Sequence, residues 1–90
     1  MTGLHHIAIA YPTRAALADA YGRLHEVGWP IRQATDHGTH EAIYLSDPDG
    51  NAVELMWDRD PSEWPLDEHG HLRGDMGADL DLDALLRELG

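Results

Sequence analysis

Hydrophobic and polar positions alternate with a period of two in three stretches of this 90-residue chain. Strand side chains point alternately to the two faces of a sheet, so residues of like parity share a face. In Leu4–Tyr11, Ile7, Ile9 and Tyr11 lie on one face, and His6, Ala8 and Ala10 on the other. In His40–Leu45, Ile43 and Leu45 oppose His40, Ala42 and Tyr44. In Ala52–Trp57, Val53, Leu55 and Trp57 oppose Ala52, Glu54 and Met56. Each stretch predicts a strand with one oily face and one face of small and reactive residues.

A different period runs between the first two. Leu17, Ala20, Tyr21, Leu24 and Val27 recur at helical spacing, which predicts a helix over Arg14–Val27. Pro12 ends the preceding strand, Thr13 is the expected N-cap, and Gly28 is the C-terminal stop. Trp29-Pro30 forces an extended exit, and Ile31–Thr35 reads as a short strand. Asp36-His37-Gly38 reads as a turn or loop tip. Asp47-Pro48-Asp49-Gly50-Asn51 joins the last two strands as a tight hairpin. Asp58–Ala78 reads as an irregular acidic tail. Leu80–Leu89 reads as a short helix with Leu82, Leu85, Leu86 and Leu89 on one stripe and Asp79 or Asp81 as its cap.

The expected fold is therefore α+β, a single βαβββ module over residues 1–58. Residues 59–90 form an acidic tail whose short helix packs on the module or on a partner. The oily strand faces cover the helix stripe of Leu17, Tyr21 and Leu24. The opposite face, with His6, His40, Tyr44 and Glu54, is left uncovered in a monomer. A chain this short buries a modest core and has no cysteine to staple it. Dimerisation is the remaining way to enlarge that core. The lack of cysteine is compatible with the cytoplasm, which is the expected location.

The net charge of −11, with arginine as the only basic residue type, argues against nucleic acid or an anionic membrane as partner. From Asp58 onward there are ten acidic residues against three arginines, which reads as a solvated tail.

A histidine, a tyrosine and a carboxylate set among alanines suggest the wall of a cavity that holds a metal ion. His6 and Glu54 are the candidate ligands; the bland alternatives are a structural histidine and a solvent-facing carboxylate. Tyr44 is either a substrate contact or a strand aromatic at an interface, and His37 either an acid–base group or an exposed loop histidine. His40 reads as a surface histidine, His5, His69 and His71 as surface or solvated, and His25 as a cation near a helix C-terminus. Asp36 and Asp47 read as turn residues.

Gly3-Leu4-His5-His6-Ile7-Ala8-Ile9 and the hairpin from Ala42 to Leu55 resemble one βαβββ module of the vicinal oxygen chelate superfamily, which includes glyoxalase I, bleomycin and fosfomycin resistance proteins, methylmalonyl-CoA epimerase and extradiol dioxygenases. Asp36-His37-Gly38, Glu41-Ala42-Ile43-Tyr44, Trp57-Asp58-Arg59, Glu63-Trp64-Pro65 and Asp81-Leu82-Asp83-Ala84-Leu85-Leu86 further resemble the C-terminal module of bacterial catechol 2,3-dioxygenases. This likeness runs from Gly3 to Leu89. It implies His6 and Glu54 as metal ligands, His37 as an acid–base residue and Tyr44 as a contact to the substrate oxygen.

The expected function is that of a ring-cleaving, extradiol dioxygenase-like oxidoreductase using Fe(II) on a catecholic substrate. Two protein ligands hold a divalent ion poorly, so a homodimer or a separate module must complete the site. A symmetric dimer would offer two imidazoles and two carboxylates, closer to the glyoxalase I set. Two rival expectations are thus a glyoxalase- or epimerase-type enzyme using Ni, Zn, Co or Mn, and a non-catalytic dimer that sequesters a drug.

Overall fold

The computed structural model describes residues 6–64, 66, 68–69 and 78–89, and residue 6 through its backbone only. The chain runs β1 (His6–Tyr11), α1 (Arg14–Glu26), β2 (Gln33–Asp36), β3 (His40–Ser46), β4 (Ala52–Asp58), a 3-10 turn at Pro61–Glu63, β5 (Ala78–Asp79) and α2 (Leu82–Leu86), which continues as a 3-10 turn at Arg87–Leu89. The strands form one sheet in the order β1-β4-β3-β2-β5. β1 lies parallel to β4, and the pairs β3–β4, β2–β3 and β2–β5 are antiparallel. This is the expected α+β module with a βαβββ order, extended by one strand.

Local chemistry explains the element ends. The Thr13 hydroxyl accepts from the Ala16 N–H at 3.0 Å and caps α1. α1 stops one residue short of expectation, with Val27 as C-cap, and Gly28 follows at φ 69°. Asp81, the second of the two proposed caps, accepts from the Ala84 N–H at 3.0 Å to begin α2. Asp79 instead belongs to β5, which pairs with Thr35 and Asp36 of β2. A two-residue strand carries too little alternation to show in a sequence, so this segment read as irregular. β2 likewise sits further along the chain than Ile31–Thr35, and just before it the Arg32 N–H donates to the Tyr44 carbonyl at 2.8 Å.

The helices gather over the middle of the sheet. Leu17, Ala18 and Tyr21 of α1 pack with Ile43, Leu45 and Leu55, and with Leu80 and Leu85 from the tail. Gly22 admits the tail closely: a Cβ there would meet a Leu89 methyl at 3.1 Å. Of edge strand β1, Tyr11 packs against this cluster. Ile7 and Ile9 share the face of Val53 and Leu55 but remain 44% and 42% exposed. The expectation that the helix would cover all three oily strand faces therefore fails at Ile7 and Ile9, because the buried cluster centres on β3 and β4.

Among the described residues, one charged side chain is buried on the oily face. Glu41 is 2% exposed and shares its parity with Ile43 and Leu45. A buried carboxylate is costly unless paired, and Glu41 is paired twice. The Arg14 Nε donates to it at 3.0 and 3.2 Å, and the Arg59 Nη2 donates at 2.6 Å. Arg59 also forks onto both oxygens of Asp36, at 2.7 and 3.0 Å. Arg14 reaches on to Glu88 of the C-terminal turn at 2.6 Å.

The Arg59 guanidinium bonded to Asp36 holds that carboxyl below the usual carboxylate range. The unfolded chain therefore takes up this proton at a higher pH than the folded one. The pair's contribution is present above the unfolded value, near 3.8, and is lost as pH falls through the lower folded value. Asp36→Asn is expected to flatten the fall in stability on acidification below about pH 4, read by urea denaturation across pH. An acid limb identical to wild type would remove Asp36 as a contributor.

Candidate functional site

The sheet face away from the helices carries the candidate residues, and strand register sets their spacing. Glu54 of β4 lies across from Ala8 of β1 on one side and from Tyr44 of β3 on the other. His6 lies across from Ala52, so its backbone position is one pleat repeat along β1 from the neighbour of Glu54. Ala8, Ala10 and Ala52 are exposed, and Tyr44, Glu54 and Met56 are half-buried. Small side chains beside long polar ones leave a recess on this face. A cavity of about 310 Å³ opens at its end, lined by Arg32, Gln33, Tyr44, Leu45, Ala52 and Val53.

Tyr44 and Glu54 are direct cross-strand neighbours. Burial, followed by the negative charge of Glu54, pushes the Tyr44 phenol above its ordinary value of 10.0. Tyr44 is therefore a neutral hydrogen-bond donor throughout the physiological range. His37 completes the line: its Nε2 lies 3.0 Å from the Tyr44 hydroxyl. A phenol has one proton to give. Which of His37 Nε2 and the Tyr44 hydroxyl donates across this contact follows the imidazole tautomer.

His37 reaches Tyr44 because of the hairpin geometry. The pairs Gln33–Tyr44 and Thr35–Ala42 continue as His37 and His40, whose backbones close the turn through the His37 N–H and the His40 carbonyl at 2.8 Å. The turn proper is Gly38-Thr39, and Gly38 takes φ 83°, as the first position of a tight primed turn requires. His37 is thus at the mouth of the hairpin, on the reactive face, rather than at its tip. His40 stands opposite it, with ring centroids 4.4 Å apart and the planes nearly parallel. The half-buried His40 ring thus packs on His37, and its Nδ1 bonds to the Thr39 hydroxyl at 3.1 Å.

His37 and Tyr44 are in contact, and Glu54 is the cross-strand neighbour of Tyr44. Among the described residues no group of three histidines or carboxylates lies close enough to hold a metal ion. Glu54 thus offers one donor from this face, with residue 6 placed beside it by register. His5 and His71 lie outside the described residues. His69 is exposed near Glu68, and His25 stands on the helix beside Tyr21.

Sequence reasoning missed the support beneath the hairpin. Asp36 and Glu41 face each other directly across β2 and β3, and two like charges so placed repel. Arg59 lies between them, and its Nη1 also donates to the Gly38 carbonyl at 3.0 Å. Asp36, read as a turn former, does accept from the Gly38 N–H at 2.9 Å, but it also holds the arginine. The available signal was Glu41, a carboxylate at an oily parity.

The profile of the Glyoxalase/Bleomycin resistance protein/Dioxygenase superfamily matches residues 1–55, and the chain belongs to this superfamily. Over its whole length it is 44% identical to the catechol-2,3-dioxygenase of Bacillus subtilis (strain 168), of which it covers 31%. Over 56 residues, 62% of the chain, it is 43% identical to biphenyl-2,3-diol 1,2-dioxygenase 3 of Rhodococcus globerulus, of which the match covers 30%. Biphenyl-2,3-diol 1,2-dioxygenase 2 of the same organism is 39% identical over 56 residues. The chain thus spans about a third of the length of these curated relatives. No solved structure matches it significantly.

Replacing Gly38 by alanine forces a side chain into a left-handed backbone. It is expected to cost about 1 to 2 kcal/mol, measured by urea denaturation. A wild-type midpoint would rule out the turn described for residues 37–40.

Proposed function

We propose that this member of the superfamily is one module of an extradiol, ring-cleaving dioxygenase acting on a catecholic substrate. The observation that carries the reading is the His37–Tyr44 contact beside Glu54 on an open sheet face, in a chain 44% identical throughout to a relative named catechol-2,3-dioxygenase. His6 and Glu54 are the proposed metal ligands. The donor set fits a divalent ion: an imidazole and a carboxylate on adjacent strands, one pleat repeat apart, with alanines leaving room around them. Tyr44 flanks Glu54 across the β3–β4 pair.

Two protein donors leave the set incomplete. A second copy of this chain, or another module, would supply the rest. Fe(II) is the proposed ion, serving when bound as a template that holds catecholate and dioxygen side by side. The protein's own groups do the remaining work. Tyr44, kept neutral by burial and by Glu54, would donate to a substrate oxygen reaching this face. His37 would take a proton at Nε2 from the substrate or return one, within reach of the same point as the Tyr44 hydroxyl. The stacked His40 ring would fix the plane of His37. No helix among the described residues is long and apolar enough to cross a membrane. The absence of cysteine is compatible with the reducing cytoplasm, where we place the protein.

Metal analysis of protein purified without oxygen, combined with solution mass and oxygen uptake on catechol, tests the reading. Iron, an assembly larger than one chain, and a coloured ring-fission product are expected. His6→Ala and Glu54→Gln should each lower metal occupancy by about tenfold or more. In the assembled site His37→Gln should lower kcat by about a hundredfold with metal retained. Nickel or zinc without oxygen uptake would replace this reading by enediolate chemistry. Unchanged occupancy in Glu54→Gln would remove that residue from the ligand set.

A further inference from the structure

We infer that Arg59 is a positioning residue for the reactive face, holding the His37 ring on the Tyr44 hydroxyl from the opposite side of the sheet. This rests on the reading of His37 as a group of the site. The observations are a set of bonds converging on one short turn. Arg59 donates to both oxygens of Asp36, at 2.7 and 3.0 Å, to the Gly38 carbonyl at 3.0 Å and to Glu41 at 2.6 Å. Its own N–H donates to the Thr39 carbonyl at 2.8 Å. Residues 36, 38 and 39 are thus tied to a single side chain and its backbone, and His37 is the residue they enclose.

Side chains alternate along a strand. Asp36 points to the buried face and His37 to the reactive one, so fixing the Asp36 carboxylate fixes the peptide from which the imidazole departs. The turn has no large apolar residue to anchor it: Gly38 and Thr39 are its loop. Without Arg59, Arg14 would be left to offset both Asp36 and Glu41 while bonding only Glu41, and the remaining repulsion would act at the mouth of the hairpin. That is the place where His37 and His40 pair. Arg59 is itself supported, since the Trp57 ring lies 5.7 Å beneath its guanidinium and Glu41 is also held by Arg14. A planar fork suits this task, and an ammonium would satisfy fewer of the acceptors.

The test is the imidazole spectrum of His37 in the full chain, recorded by two-bond proton–nitrogen correlation without metal or substrate. Tyr44→Phe supplies the reference for a ring that has lost its hydroxyl partner. Arg59→Gln is expected to move the His37 nitrogen shifts most of the way to that reference, and Arg59→Lys to fall between. Asp36→Asn keeps the shape of the side chain and is expected to move them in the same direction; it decides the matter if Arg59→Gln does not fold. Glu88→Gln trims the exposed end of the same ion network and should leave the ring signals at their wild-type positions, whatever it does to the melting temperature. Wild-type His37 signals in folded Arg59→Gln or Asp36→Asn would overturn the inference, leaving Arg59 a stabilising residue only. The functional reading fails separately. If His37→Gln cleaves catechol as fast as wild type while the spectra behave as stated, the positioning stands and the catalytic role of His37 falls.

Discussion

A carboxylate buried on the oily side of the sheet, shared between two guanidinium groups, sets the conditions for the rest of this small domain. Glu41 cannot remain at 2% exposure as an unpaired charge. Arg14 brings the start of α1 to it, and Arg59 brings the end of β4 and the mouth of the β2–β3 hairpin. Through Glu88 the C-terminal turn joins the same group. Four separated parts of the chain are thereby fixed relative to one another by directional bonds. The apolar cluster around Leu17, Ile43 and Leu85 supplies burial, but burial alone does not specify direction.

The two faces of the sheet divide the labour. The buried face is crowded and charge-compensated. The other is open, lined by alanines, and carries a row of polar groups in which His37 meets Tyr44 beside Glu54. Rigidity on one side allows polar side chains on the other to be held with little help from packing.

Most of the module was legible because its signals are periodic. The alternation in His40–Leu45 and Ala52–Trp57 set both the strands and the side on which Tyr44 and Glu54 emerge. The helix was bounded by Thr13 and Gly28, whose roles follow from capping and from a positive φ. What escaped was non-periodic. β5 is two residues long, and its partner, β2, is far away in sequence. The exposure of Ile7 and Ile9 depends on how the helices sit across the sheet, which no local pattern encodes. The Arg59 bonds join residues widely separated along the chain, so nothing near Arg59 announces them. The chemistry of the reactive face was read from residue types and parity; the contact of His37 with Tyr44 needed the hairpin register as well.

The parallel pairing of β1 with β4 has a kinetic corollary. His6 meets Ala52 only after nearly the whole module has been laid down between them, so this is among the most entropically demanding closures in the sheet. The proposed ligand pair straddles that junction. Any partly folded form in which β1 has not yet docked presents at most half of the donor set. An ion captured there would favour the finished architecture over its precursors, acting as a latch on the final closure as well as a reagent.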